Sequence, residues 1–400
     1  MTSQPASPTL STLSALDRVL AFRIRLNWEI AAYVVIIALA VGLRFFDLGA
    51  RALHHDESIH AQWSWRLAQG DYRHDPVFHG PFYYHVQGLV FFLFGASDYT
   101  SRVSAAIFGS MLTALPLLLR RRLGPIGTIS AVAFIAFSPT IVYYSRFFRE
   151  DIYMAFFTLV MVAAMWRYFE DGRDRWLIVF ALAFTGSITT KEATFLSAAV
   201  FLVFLNGYVA VELAGQTLEA RGLNSPPRRF MLAAALFIWV TPIVALWPLL
   251  GRLRRSMNWD ELPRSGDIFI LLGTMVVPLL TAVLHEPLEK AGIVEKARLV
   301  CRADIPRRDA LALAGLFSVS ASLAAFVGLQ WRPKTWAIAV GLSAVIYLTL
   351  MTSFWTNLNG VCTGPWGSLD YWISQHGATR GEQPWYYYYL LMPAYEFLTP

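Results

Sequence analysis

The sequence predicts an all-α, polytopic membrane bundle. Of its 400 residues, 56% are hydrophobic and 15% charged, against about 25% charged in an ordinary soluble chain. The apolar residues fall in blocks of about 20, the length that crosses a hydrocarbon core of about 30 Å. Charges gather between those blocks, as they do in the loops of a multi-pass protein. A transmembrane barrel would show short alternating segments instead.

Ten blocks read as spans: 28–48, 99–119, 126–143, 151–169, 176–190, 194–214, 230–250, 267–284, 309–329 and 335–353. An eleventh begins near Tyr386 and is cut short at Pro400, as in a fragment of a longer chain. The expected organisation is a cytoplasmic segment 1–27, a multi-pass domain 28–353, an outer loop 354–385 and the start of a further span over 386–400. The first apolar block lacks a small-residue cleavage site after it, so it reads as a retained span rather than a signal peptide. Cys301 and Cys362 are the two cysteines, too few for a disulfide framework or a metal cluster. The net charge of +6 sits in loop arginines such as Arg120, Arg121 and Arg122, which read as cytoplasmic anchors and not as a nucleic-acid surface.

Orientation follows from the same arginines. Arg18, Arg23 and Arg25 put the N-terminus inside and the loop 49–98 outside. Strict alternation then puts Arg332 and Lys334 outside and 354–385 inside, against the charge rule. Treating 267–284 as a segment that does not cross removes both conflicts; 230–250, with Pro242 and Pro248, is the alternative. Within the first outer loop, Ile59, Trp63 and Leu67 recur four apart and predict an amphipathic helix. The run 81–95 opens with Pro and ends at Gly, as a second short helix does. Both are expected along the membrane surface.

Polar residues are sparse, so their placement carries information. The stretch "ALHHDESIHA" holds His54, His55, Asp56, Glu57 and His60 just after the first span. Other outer loops supply Arg146, Arg149, Glu150 and Asp151, then Lys191 and Glu192, then His376, Arg380, Gln383 and Trp385. Plainer roles exist for each. Asp56–Glu57 and Glu150–Asp151 can cap helices. Lys191 can pair with Glu192. Trp385 can belong to an aromatic belt. No cofactor is fixed by the sequence. His55, Asp56, Glu150 and Asp151 could bind a divalent ion (Mg, Mn or Zn), although no HExxH-type spacing is present. Together these residues supply what sugar transfer from a lipid phosphate needs: a carboxylate base, cations for a leaving phosphate, and aromatics for a sugar ring. A transporter vestibule uses similar groups but needs ionisable residues deep in mid-span, and few are seen.

The order of motifs resembles the GT-C superfamily of integral membrane glycosyltransferases, in the branch of protein O-mannosyltransferases and lipid A aminoarabinose transferases. "ALHHDESIHA", "HGPFYYH", "YSRFFREDIYM" and "GSLDYWISQHGATRGEQPWYYYYLLMP" look like the prokaryotic flippase-activity-associated glycosyltransferase-like membrane proteins. The resemblance implies Asp56 as base with Glu57 beside it, Asp151 as the second acidic residue, and Lys191 near the lipid phosphate. It also implies donor or acceptor contacts at His376, Arg380 and Gln383. The expected activity is inverting transfer from a polyprenyl-phosphate sugar to a protein, lipid or glycan acceptor at the outer face of the cell membrane. Membrane lipids are the other expected partners. A non-catalytic accessory of lipid-linked sugar translocation is the alternative, and a transporter the second.

Overall fold

The computed structural model describes residues 27–223, 225–253, 262–292, 307–375 and 383–395. It is helical throughout, with no strand among the described residues. Eight stretches among them are long and apolar enough to cross a bilayer.

Helix α1 (Trp28–Phe45) starts where Asn27 accepts from the Ile30 N–H at 2.9 Å. Near its start, Glu29 accepts from Arg120 Nη2 at 2.7 Å. At its other end the buried Arg44 donates to the Ile135 and Ala136 carbonyls at 2.9 and 3.2 Å. Those carbonyls close a helix that Pro139 cannot prolong, so a cation there is favourable. These contacts show that Thr100–Phe137 is two legs. Helix α4 (Thr100–Ala114) descends along α1, the chain reverses at Gly124 (φ +68°), and α5 (Arg120–Phe137) climbs back. We call the end of the bundle holding residues 46–98 the loop face.

On the loop face, α2 (His55–Ala68) and α3 (Phe82–Phe94) pack on one another, α3 packs against α4, and Glu57 of α2 reaches Arg102 of α4. The inward stripe of α2 differs from the expected apolar one. Glu57, His60, Ala61 and Ser64 are buried, while Ile59, Trp63 and Leu67 lie half-buried at its edges. A polar stripe can turn inward because it meets charged partners there, as described below.

After the short α6 (Pro139–Ser145), α7 (Asp151–Asp171) runs from the loop face to the opposite face, α8 (Asp174–Ile188) returns, and α9 (Thr194–Glu219) descends again. Helix α10 (Pro226–Leu253) starts at the opposite face, where Arg229 Nε donates to the Val211 carbonyl at 3.1 Å. Helix α11 (Arg264–Leu279) starts there too, since Arg264 donates to the Phe169 and Glu170 carbonyls at 2.8 and 3.1 Å. It runs to the loop face through the bundle interior, so the expectation that 267–284 does not cross is wrong. Asp267 is a buried partner rather than an interfacial charge. Asp267 accepts from Tyr168, from Trp331 Nε1 at 2.7 Å and from Arg332 Nη2 at 3.1 Å. The break in alternation falls between α10 and α11, and 254–261 lie outside the described residues.

Helices α12 (Arg307–Trp331) and α13 (Pro333–Met351) complete the passage back. Arg332, between them, bonds Asp174 at 2.8 Å on the opposite face. The chain after Met351 therefore lies beside the first loop, where Thr363 Oγ1 is 2.9 Å from His74 Nδ1. Placement of 354–375 on the same face as 49–98 agrees with the charge rule. Cys362 is disulfide-bonded, a single bridge rather than a framework. Cys301 lies outside the described residues.

Candidate active site

The two neighbouring acids of the first loop do different things. Glu57 is fully buried. Its oxygens accept from Arg102 Nε and Nη2 at 2.7 and 2.8 Å, from the His54 N–H at 3.0 Å and from the Phe148 N–H at 3.0 Å. Burial alone would raise its pKa, but the Arg102 bonds and the two backbone N–H groups hold it below the ordinary value. His54 completes a capping box with Glu57 at the start of α2. Arg102 also donates to the Leu48, Arg51 and Ala52 carbonyls at 3.0, 3.0 and 3.1 Å. Glu57 therefore clamps the first loop to α4 and has no free oxygen for proton transfer. One position earlier, the carboxylate of Asp56 is 40% exposed and stands 3.4 Å from Arg149 Nη1.

A second acid forms the hub. Glu150 is fully buried just before α7. Lys191 Nζ donates to its Oε1 at 2.5 Å, and Arg149 Nη2 does so at 3.2 Å. Burial opposes the charge, yet Lys191, His79 and Arg149 bring its pKa well below the carboxylate range. His60 Nε2 stands 3.8 Å from Glu150 Oε2. Burial pushes His60 down to about 4, so this contact is between a carboxylate and a neutral ring. Its Nδ1 lies 2.8 Å from the Tyr84 hydroxyl. Glu150 occupies an N-cap position without capping, since its side chain makes no bond to α7.

Lys191 does not pair with Glu192 as its sequence neighbour would. Glu192 Oε1 instead lies 2.8 Å from His79 Nδ1, and His79 Nε2 lies 3.6 Å from Glu150 Oε1. His79 has φ +67°, a conformation costing about 1–3 kcal/mol for such a residue. The loop is held by Gly80 N–H to the Thr190 carbonyl (3.1 Å) and Phe82 N–H to the Thr189 carbonyl (2.8 Å). A Cβ at position 80 would lie 2.2 Å from the Thr189 carbonyl oxygen, so only glycine permits this approach.

Arg149 gathers the exposed rim, touching Asp56 at 3.4 Å, Glu150 at 3.2 Å and Asp151 at 3.5 Å. Arg146 instead donates to the Leu43 and Phe46 carbonyls at 2.6 Å each, closing the end of α1. His55 is exposed. Gln383 is exposed and Trp385 is 83% exposed, touching Tyr386 and Tyr389 and none of the hub residues. His376 and Arg380 lie outside the described residues.

The arrangement does not fit a divalent ion on His55, Asp56, Glu150 and Asp151, which the sequence left open. Asp56 and Asp151 share Arg149, and Glu150 is taken by Lys191, so a metal would have to displace two cations. Among the described residues no group of three or more His, Cys, Asp or Glu is arranged to hold one.

His60, His79 and Arg102 were not among the expected site residues. His60 lies in "ALHHDESIHA" and His79 opens "HGPFYYH", but nothing in their spacing named Glu150 as their neighbour. Arg102 was visible as an ionisable residue inside an apolar block, the usual signal of a functional or paired charge.

Beside the hub, a cavity of about 660 Å³ runs between α8, α11, α12 and α13. Its walls include Ile188, Pro278, Phe317, Trp336, Tyr347 and Trp366. Ile188, at the end of α8, is part of its wall and lies three residues before Lys191 in the chain. A second apolar cavity of about 550 Å³ lies between α9, α10, α11 and α12.

Fold and site together define a multi-pass helical membrane protein with a charged site at one end of the bundle, next to an apolar groove. Residues 78–222, which include "HGPFYYH", "SRFFRED" and "TTKEAT", match the dolichyl-phosphate-mannose-protein mannosyltransferase family. This bears out the resemblance to the GT-C superfamily. No curated protein matches the chain. Two solved structures of an Archaeoglobus fulgidus oligosaccharyltransferase are similar over 93% of this chain. One, AglB in complex with an inhibitory peptide and a dolichol-phosphate, gives a TM-score of 0.42 at 13% identity. The other, tethered to an acceptor peptide, gives 0.41 at 12% identity. The chain spans 55% of the length of each.

Proposed function

We propose that the protein transfers a sugar from a polyprenyl phosphate to a hydroxyl or amide acceptor, with inversion, at the loop face. One observation carries this reading. The carboxylates of Asp56 and Asp151 and the cations Arg149 and Lys191 meet at one face, and the wall of an apolar groove of about 660 Å³ includes Ile188, three residues before Lys191. A protein acceptor is in keeping with the matched family's name.

In this reading the prenyl chain lies in the groove and its phosphate reaches Lys191 and Arg149. Asp56 takes the proton of the acceptor hydroxyl or amide as its oxygen or nitrogen attacks the anomeric carbon. The bond from that carbon to the phosphate oxygen breaks, and its electron pair leaves with the polyprenyl phosphate. A single displacement inverts the anomeric centre. Lys191 and Arg149 stabilise the charge gathering on the phosphate. Glu150 holds both cations in place without touching substrate. Asp151 orients Arg149 from the other side, and Glu57 is reserved for the fold. That the loop face is the outer one is supported by the bonded Cys362 there, since disulfides persist in oxidising compartments. Arg120, Arg173 and Arg175 at the opposite face fit the cytoplasmic side.

The test is turnover by the wild-type protein in liposomes. Radiolabelled polyprenyl-phosphate mannose, glucose or galactose should release polyprenyl phosphate in step with label entering an acceptor fraction. Absence of release with all three would count against an enzyme and for an accessory role.

A further inference from the structure

Beyond Glu150, a second polar wall lies between the first loop and the chain after Met351. It contains buried atoms that have no hydrogen-bond partner among the described residues: His74 Nε2, His85 Nε2, Glu192 Oε2 and Ser353 Oγ. Burying such atoms unmatched is unfavourable, so several on one wall call for an occupant. They are near one another. His74 feels the charges of Glu192 and His85, and Ser353 directly precedes Phe354, whose ring centroid is 5.5 Å from that of His85. The wall adjoins the hub, because His79 joins Glu192 to Glu150.

Two of these groups are fixed as acceptors, and the Ser353 hydroxyl can accept or donate. His85 Nδ1 lies 2.8 Å from the Pro81 carbonyl and must donate to it, which leaves Nε2 with a lone pair. Glu192 spends Oε1 on His79 and keeps Oε2. Burial holds His74 and His85 neutral, His74 down to about 4. Tyr72 packs edge-on against His85 with ring centroids 5.9 Å apart, giving the wall an aromatic border. A neutral imidazole acceptor, a carboxylate oxygen and a hydroxyl beside aromatic rings suit a ligand with several hydroxyl groups, each of which can donate or accept.

The segment over this wall is held at a cost. Ser353, Phe354 and Trp355 have φ of +49°, +56° and +68°, three successive residues in the region that L side chains avoid. A π-helical turn follows at Thr363–Gly367, a form common at functional sites. Thr363 bonds His74, and Trp366 closes the neighbouring groove. Strain of this kind collects at ligand clamps and at elements that move.

We propose that His74, His85, Glu192 and Ser353 form the subsite for the hydroxyls of the transferred sugar, covered here by the 353–366 segment, which lifts to admit it. The inference rests on the glycosyltransferase reading above.

The experiment measures binding to the full chain in nanodiscs by tryptophan fluorescence. The probes are bare polyprenyl phosphate and the same lipid carrying mannose, glucose or galactose. The expected result is that bare lipid binds and at least one sugar tightens binding further. His85→Phe and Ser353→Ala should each reduce that added affinity about 5-fold, one hydrogen bond apiece. Bare-lipid affinity should stay unchanged, which also shows that the variants fold. If bare lipid binds but no sugar adds affinity, or if the gain survives both variants, the wall is not a sugar subsite and ordered water fills it. If bare lipid fails to bind, the donor reading itself is lost and the subsite with it.

Discussion

Arg102→Leu should unfold the loop face while Asp56→Asn leaves it intact. Glu57 is fully buried and accepts four hydrogen bonds, two from Arg102 at 2.7 and 2.8 Å and two from backbone N–H groups at 3.0 Å. Leucine removes the charged pair and strands a carboxylate with two neutral donors. Breaking a buried ion pair from one side costs about 3–5 kcal/mol. The lost bonds to the Leu48, Arg51 and Ala52 carbonyls push the effect toward the upper end of that range. Removing both charges with Arg102→Leu and Glu57→Leu together should recover about half or more, because no uncompensated ion remains. Titration with SDS, followed by tryptophan fluorescence, gives the stabilities. A loss below about 1 kcal/mol for the single change, or no recovery in the double, would refute the assignment of Glu57 as a clamp.

Lys191→Met should slow transfer, and Lys191→Ala with Glu192→Ala should not rescue it, because the structure pairs Lys191 with Glu150. Lys191→Met with Glu150→Gln should regain stability but stay slow; recovery of wild-type turnover would remove Lys191 from the phosphate. Stability should fall as pH drops from about 6.5 to about 4, because His60 and His74 sit near 4 in the fold and ordinary histidine titrates near 6.5. The unfolded chain binds more protons in that window, at up to about 1.4 kcal/mol per pH unit for each ring. Glu150 adds a further loss below about 4.5, its ordinary value. A His60→Phe, His74→Phe double variant should flatten the upper part of that slope, and an unchanged denaturation profile would contradict it. Chelator should leave transfer intact, since Arg149 and Lys191 hold the acids a metal would need. Complete loss restored by manganese, magnesium or zinc would overturn this.

Most of the spans were legible as apolar blocks of about bilayer length, although α8 has only 15 residues. Even the reversal at Gly124 was marked by Arg120–Arg122 and the glycine–proline pair. The path between α10 and α11 was not, since hydropathy reports that a segment is apolar and not which face it starts from. Asp267 shows why: a charge that looks interfacial in sequence is buried against Tyr168, Trp331 and Arg332 in space. Of the charges that the structure gathers at the loop face, Asp56, Arg149, Glu150, Asp151 and Lys191 could be singled out from sequence because charges are rare near the membrane. Their partners could not. Glu57 looked like a second catalytic acid until Arg102, 45 residues away, filled it, and Lys191 looked like the partner of Glu192 until Glu150 replaced it.

The central claim is that Asp56 is the base of a sugar transfer whose donor is held by Lys191 and Arg149. The most direct measurement compares wild-type and Asp56→Asn protein in one liposome assay with labelled polyprenyl-phosphate sugar, recording donor binding and turnover together. The account predicts unchanged donor affinity and stability, with turnover reduced about 100- to 10,000-fold. Near-normal turnover by Asp56→Asn, with donor binding intact, would contradict it.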